Sequence, residues 1–381
     1  MTELLSSYNE IYIIFRCSSY IERNHTKKTY WTTLVCLHVL MWYYSCMQMY
    51  VDFPSWISPL VVPFLPVRWY AVMYIVAFAI TYALFRYQCR HGELNGMSAD
   101  DSLTLFCYSI GFLILGARLF STLFYDGSWY YWTHPWMIFW PFRNGQFVGL
   151  PGMSYHGGVV GAVFGGWLFA RKHNYRLLDL ADHVIAGIPL GYTFGRLGNF
   201  INGELWGRVT TSGMGMVFPD APSFSTDLAW VREVADKIGM TYTQGSYINL
   251  PRHPSQLYEA LFEGILLWLM LWFVIRPLAS SRKTKNGPGI ISGAYFIGYG
   301  LVRFVIEYFR EPDSQLGFII ALGKETEPTA LFKSVLNISM GQIFCFVMIL
   351  AGVAMIIFAL KTQPVTYKNR KGKNNDRKRK G

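Results

Sequence analysis

QIFCFVMILAGVAMIIFAL, residues Gln342–Leu360, carries no charged side chain and no proline. Such a run is close to the ~20 residues that cross ~30 Å of hydrocarbon, so it reads as a helix whose solvent is lipid. Outward from it, comparable windows recur at Pro66–Phe85, Ser102–Tyr125, Gly152–Ala170, Leu178–Phe200, Gln256–Ile275 and Ile290–Phe309. Composition agrees: 52% of the chain is apolar and only 15% charged, below the ~25% usual for soluble domains. The predicted fold class is an all-α polytopic membrane protein of about seven transmembrane helices with an outward-facing loop or head segment.

The net charge of +11 looks at first like a nucleic-acid signal. Its location argues otherwise, because Lys361–Gly381 holds nine Lys/Arg against one Asp. A basic run after a last apolar helix fits a cytoplasmic end drawn to anionic lipid, so no nucleic-acid partner is expected. Lys and Arg also gather in alternate loops, at Arg86 and Arg90, at Arg171, Lys172 and Arg176, and at Arg276, Arg282, Lys283 and Lys285. Those loops are predicted to face the cytoplasm with the tail, and 126–150, 203–252 and 311–340 to face outward. Six scattered cysteines without CxxC spacing support neither a disulfide framework nor a zinc site.

Three segments follow: an extension at 1–48, a membrane domain at 49–361 that includes the outward segment 203–252, and a basic tail at 362–381. The extension contains neither Gly nor Pro, although the whole chain has 35 and 17. One reading is an additional helix over Tyr30–Tyr50; the other places the true start at Met47 or Met49.

Ionisable side chains inside a lipid-spanning helix cost about 2.5–3.5 kcal/mol on insertion scales, which makes them functional candidates. At 1.5 Å per residue, Arg118, Arg196 and Arg303 fall late in spans running outward, while His156, Gln256 and Glu259 fall early in spans running inward. Tyr70, Asn199, Tyr299, Glu307, Glu204 and Arg208 share that outer level. Glu263 is two turns deeper and stands as the exception; Asp179 and Asp182 lie at the inner end. A lone arginine at a helix end is accounted for by snorkelling to headgroups. Several at one depth repel one another unless an anion lies among them, and a guanidinium grips phosphate with two parallel hydrogen bonds. The expected ligand is an anionic amphiphile of the outer leaflet. In HGGVVGAVFGG, residues His156–Gly166, the glycines at GxxxG spacing are read as helix packing and His156 as functional.

From about Met49 to Lys361 the chain resembles the prolipoprotein diacylglyceryl transferase family. The resemblance is carried by GRLGNFINGELWGR from Gly195, with RWYAVMY from Arg68, GMSYHGG from Gly152, PRHPSQLYE from Pro251, GYGLVRFVIEYFREPD from Gly298 and SMGQI from Ser339. Departures are small: Gly116-Ala117-Arg118 stands where Gly-Gly-Arg is usual, and Tyr155 precedes His156 where Phe is usual.

The resemblance implies transfer of the diacylglyceryl group of phosphatidylglycerol to the lipobox cysteine of a prolipoprotein signal peptide, in the bacterial inner membrane, near the outer leaflet. Partners are then the two substrates and membrane lipid, and neither metal nor organic cofactor is required. Arg196 and Arg303 match the arginines on which the family depends and are assigned to the phosphate, with Arg118 and Arg310 as secondary candidates. His156 is the first choice for general base, the alternative being a hydrogen-bonding positioner. Tyr70, Asn199 and Tyr299 would donate to headgroup oxygens, Glu204 and Glu307 would hold arginines, and Gly207 belongs to the same substrate-binding set. A lipid transporter would also gather arginines among helices, but it should show internal repeats and midplane polar groups, which are not evident.

Overall fold

The computed structural model describes residues 50–62, 67–94, 96–126, 129–143, 145–147, 152–281, 287–312 and 317–362. The extension at 1–48, the tail from 363 and the basic residues Arg282, Lys283 and Lys285 lie outside the described residues. Two compact units are distinguished: one of residues 54–208 and 254–362, the other of residues 50–53 and 209–253.

The first unit is helical: α1 (Trp69–Arg90), α2 (Ala99–Tyr125, its last turn π-helical), α3 (Tyr155–His173), α4 (Leu177–Ile185), α5 (Ile188–Ile201), α7 (Ser255–Ala279), α8 (Ile290–Ile306) and α9 (Met340–Lys361). Among the described residues, α1, α2, α7 and α9 are long and apolar enough to cross a membrane, and α8 is a shorter apolar helix. Val160, Phe273 and Phe346 project outward from these helices, the arrangement expected of a protein dissolved in lipid.

Local chemistry sets the helix starts. Ser98 and Asp101 close a capping box on α2, and Ser339 and Gln342 close another on α9, each satisfying backbone N–H groups that the first turn leaves unpaired. α3 starts at Ser154, whose hydroxyl accepts from the Gly157 N–H. The start of α8 is held from another helix: Asp182 on α4 accepts from the N–H groups of Gly289 and Ser292 and from the Ser292 hydroxyl, at 2.7, 2.8 and 2.6 Å. The predicted span Leu178–Phe200 is interrupted between Ile185 and Ile188. Pro189 supplies the reason, since it has no N–H for the helical ladder and its ring clashes with the carbonyl one turn back.

The glycines of the His156–Gly166 run are packing residues. A Cβ on Gly161 would strike the Phe112 carbonyl, and one on Gly165 the Tyr108 carbonyl, so α2 and α3 meet backbone to backbone. Gly293 and Gly352 bring α8 and α9 together in the same way, and Gly264 lets α7 approach Thr193 on α5.

The second unit contains helix α6 (Ala229–Lys237), whose Val231 and Ala235 are buried, as are Phe218, Ile238 and Leu250 of the same unit. It carries short ladders, Val51–Asp52 with Met216–Val217 and Phe224–Ser225 with Tyr247–Ile248. Two more, Phe142–Arg143 with Gln146–Phe147 and Phe318–Ala321 with Asn337–Ser339, belong to the helical unit. These strands were not anticipated from the sequence, where an all-α chain was expected.

Candidate functional site

The site lies where α5, α7 and α8 meet. Glu259 and Glu263 are one turn apart on α7, and both side chains are 0% exposed. Around Glu259 stand three guanidiniums: Nε of Arg196 at 2.7 Å, Nη1 of Arg303 at 3.0 Å and Nη1 of Arg310 at 2.7 Å. Arg303 also reaches Glu263 at 3.6 Å and, through Nη2, Glu307 at 3.2 Å. Glu307 lies 3.7 Å from Nε of Arg310 and accepts a hydrogen bond from Ser339. Tyr192, one turn before Arg196 on α5, accepts from the Arg196 Nε–H at 2.6 Å and donates to Glu263 at 2.5 Å.

Taken by their direct ion pairs, three arginines face three glutamates, so the cluster is formally neutral. Its two sides differ. The carboxylates of Glu259 and Glu263 are fully covered, whereas Arg196, Arg303 and Arg310 keep 17, 16 and 19% exposure. A cationic face is thereby backed by buried anions. Without those anions the guanidiniums could not be held this close at low dielectric.

The remaining predicted residues fall into distinct groups. Asn199 accepts from Arg196 and donates to Glu204 at 2.9 Å, and Asn202 donates to the same carboxylate. Among the described residues Glu204 thus meets Arg196 through Asn199, and direct ion pairs with the arginines are made instead by Glu307 and Glu259. Gly207 pairs in backbone fashion with Arg310, next to Arg208, which donates to the carbonyls of Arg310 and Leu331. The Tyr70 hydroxyl bonds Tyr74 at 2.8 Å, with Glu204 and Arg196 as charged neighbours. Tyr299 packs edge-on to Tyr192 and stands close to Glu263 and Arg303.

Two predicted residues stand apart from the ion-pair cluster. Arg118 is buried and donates to the carbonyls of Ile138 and Gly152, with Tyr131 beneath its guanidinium; none of these partners belongs to the cluster. His156 is exposed and shares a 2.9 Å hydrogen bond with the Tyr125 hydroxyl through Nδ1, near the ring of Phe344. Its neighbour Tyr155 is also exposed, yet Arg196, Arg303 and Glu263 act on its hydroxyl, so the start of α3 borders the cationic face.

Sequence reasoning gave three cluster members no site role: Tyr192, which was not singled out, Glu259, which was placed on the arginine level, and Glu263, which stood as the deeper exception. A signal existed, because two acidic residues at i, i+4 in an otherwise apolar span need counter-charges from neighbouring helices. Glu263 was set aside as too deep, but the packing of Gly264 on Thr193 and a π-helical turn over Ala260–Leu266 bring it into the cluster.

Apolar helices enclosing a buried arginine–glutamate cluster define a helical membrane protein with a cationic face suited to an anionic ligand. Comparison with known proteins carries this further. The chain belongs to the prolipoprotein diacylglyceryl transferase family, whose model matches residues 59–358. It is similar to the phosphatidylglycerol–prolipoprotein diacylglyceryl transferase of Treponema pallidum, at 47% identity over 316 residues, covering 79% of this chain and 93% of the relative. The protein of the same name from Treponema denticola is 47% identical over 343 residues, covering 86% and 99%. That from Chlorobaculum tepidum is 42% identical over 314 residues, covering 80% and 91%.

Proposed function

We propose that this chain is a bacterial inner-membrane enzyme that moves the diacylglyceryl group of phosphatidylglycerol onto the lipobox cysteine of a prolipoprotein. The sulfur attacks the glycerol carbon bonded to the phosphate, a C–S bond forms, and the C–O bond breaks. Its electron pair leaves with glycerol phosphate, while the thiol proton passes to His156 as the base. The products balance without oxidant or reductant.

The observation that carries this reading is the cationic face of Arg196, Arg303 and Arg310 over Glu259 and Glu263. The leaving phosphate gains charge as the bond breaks, and donors held in place beforehand stabilise that change more than water can. Nη2 of Arg196 has no protein partner among the described residues and is free to donate to a phosphate oxygen. Tyr70, Asn199 and Tyr299 border the headgroup, and Glu204, Gly207, Glu307 and Arg310 shape its surroundings. His156 takes the thiol proton, with Tyr125 orienting its ring through Nδ1; Arg118 shapes the outer rim by fastening Ile138 and Gly152.

In this reading about seven spans carry the site in the outer half of the bilayer, with the segment 203–252 outside and the tail cytoplasmic. A signal peptide spans with its basic end inside, so its cysteine arrives at the level of the arginines. The direct test is mass spectrometry of a lipobox peptide incubated with phosphatidylglycerol and the purified protein. A thioether-linked diacylglyceryl adduct is expected; an unmodified peptide with folded protein would refute the assignment.

A further inference from the structure

The ion-pair cluster is balanced before any headgroup arrives: Arg196, Arg303 and Arg310 against Glu259, Glu263 and Glu307. Glu204, joined to Arg196 through Asn199, adds a further negative charge at its edge. A phosphodiester monoanion seated on the guanidiniums would leave the site in net negative charge, in surroundings that screen poorly. One proton taken up by a carboxylate cancels the charge that the phosphodiester adds.

The two buried carboxylates are not equivalent candidates. Glu259 has three guanidiniums within 3.0 Å. Glu263 has one arginine at 3.6 Å and a hydrogen bond from Tyr192, and its Oε1 has no aligned hydrogen bond. The groups facing Glu263 are Tyr192 and Arg196 from α5, Glu259 from its own helix, Arg303, Tyr299 and Tyr295 from α8, Tyr155 from α3 and Cys345 from α9. A phosphate that draws Arg303 forward weakens the one direct ion pair that Glu263 makes among the described residues and leaves Glu259 with two more.

We infer that headgroup binding takes up one proton from solvent, held by Glu263 as a carboxylic acid until the phosphate leaves. The inference rests on the phosphatidylglycerol reading above. Glu263 does not touch the reacting atoms; it acts through Arg303 and, by way of Tyr192, through Arg196. Headgroup affinity is then greatest at low pH and declines, by up to about tenfold per pH unit, between the pH at which the empty site releases the proton and the higher pH at which the occupied site does.

The test uses the full chain in detergent micelles and dihexanoyl phosphatidylglycerol as probe. Titration calorimetry in buffers of different ionisation enthalpy counts protons bound, and infrared difference spectra report whether a carboxylic-acid C=O band appears on binding. Wild type should take up about one proton near neutral pH and show the band; Glu263→Gln should do neither, and its affinity should be flat with pH. Saturable binding to wild type without uptake overturns the inference, as does undiminished uptake by Glu263→Gln. Should Glu263→Gln fail to fold, Glu263→Asp, which keeps a carboxyl group, should shift the band, and an unshifted band overturns the assignment. Transfer activity measured on the same wild-type sample separates the two levels: transfer without proton uptake sinks this inference alone, whereas absence of transfer sinks the reading beneath it.

Discussion

Nε of Arg196 on α5 lies 2.7 Å from Oε2 of Glu259 on α7, and the same N–H donates to Tyr192, which passes the hydrogen bond on to Glu263. One guanidinium is therefore oriented by two buried carboxylates at once, one directly and one through a phenol. Nη1 of the same fork donates to Asn199, which in turn donates to Glu204.

Charge alone should not replace that fork. Arg196→Lys and Arg303→Lys retain the cation but lose the second parallel donor, and each should slow diacylglyceryl transfer by ~10²–10³, the cost of losing a preorganised donor to a leaving group. Rates are measured on a lipobox peptide with folded variants, and near-normal turnover of both would remove these arginines from the phosphate.

His156→Gln should show a different pH profile. If the imidazole takes the thiol proton, the defect shrinks as pH rises towards the ordinary thiol range near 8.5, where thiolate forms unaided. The arginine variants should stay impaired across the same series. A defect in His156→Gln that is constant with pH assigns it to positioning.

Glu259→Gln removes the charge that three guanidiniums share. Leaving buried charges uncompensated typically costs about 3–5 kcal/mol, so its unfolding midpoint in detergent should fall well below that of wild type. An unchanged midpoint would show that the arginines do not depend on this carboxylate.

Gly161→Ala should lower stability by about 1–3 kcal/mol through overpacking, because its methyl would strike the Phe112 carbonyl. Gly158→Ala, three residues earlier, meets side-chain atoms of Ala117 and Leu113 at 3.6 Å, an ordinary contact, and should be nearly neutral. Thermal unfolding of the pair distinguishes packing at one glycine from a general intolerance of substitution.

His253, in the segment before α7, has its imidazole pushed down to about 4 by burial. The unfolded chain, with an ordinary value near 6.5, binds the proton more readily over the interval between. The stabilising contribution is thus complete above about pH 6.5 and is lost as pH falls towards about 4. Thermal midpoints followed over this range should drop less for His253→Gln than for wild type; parallel curves would exclude His253 as the source.

Much of this protein was legible in its residues. A run such as Gln342–Leu360 reports its solvent directly, because transfer of apolar side chains into lipid depends on composition and length and needs no knowledge of neighbours. The GxxxG spacing around Gly161 likewise announced close packing, and the motifs around Arg196 and Arg303 announced the family. The break before Ile188 was readable from Pro189 but was passed over in favour of one continuous span.

What tertiary structure alone decided is which charges meet. Depth along a helix placed Arg118, Arg196 and Arg303 at one level, yet Arg118 turns to backbone carbonyls while the other two converge on Glu259. Depth likewise set Glu263 aside, although a glycine contact with Thr193 brings its helix close enough to reach Arg303 and Tyr192. Hydropathy and rise per residue fix a coordinate along the membrane normal, whereas an ion pair needs the azimuth of each helix and the separation of their axes. Those are set by how side chains from several helices pack together, a property that no single span contains.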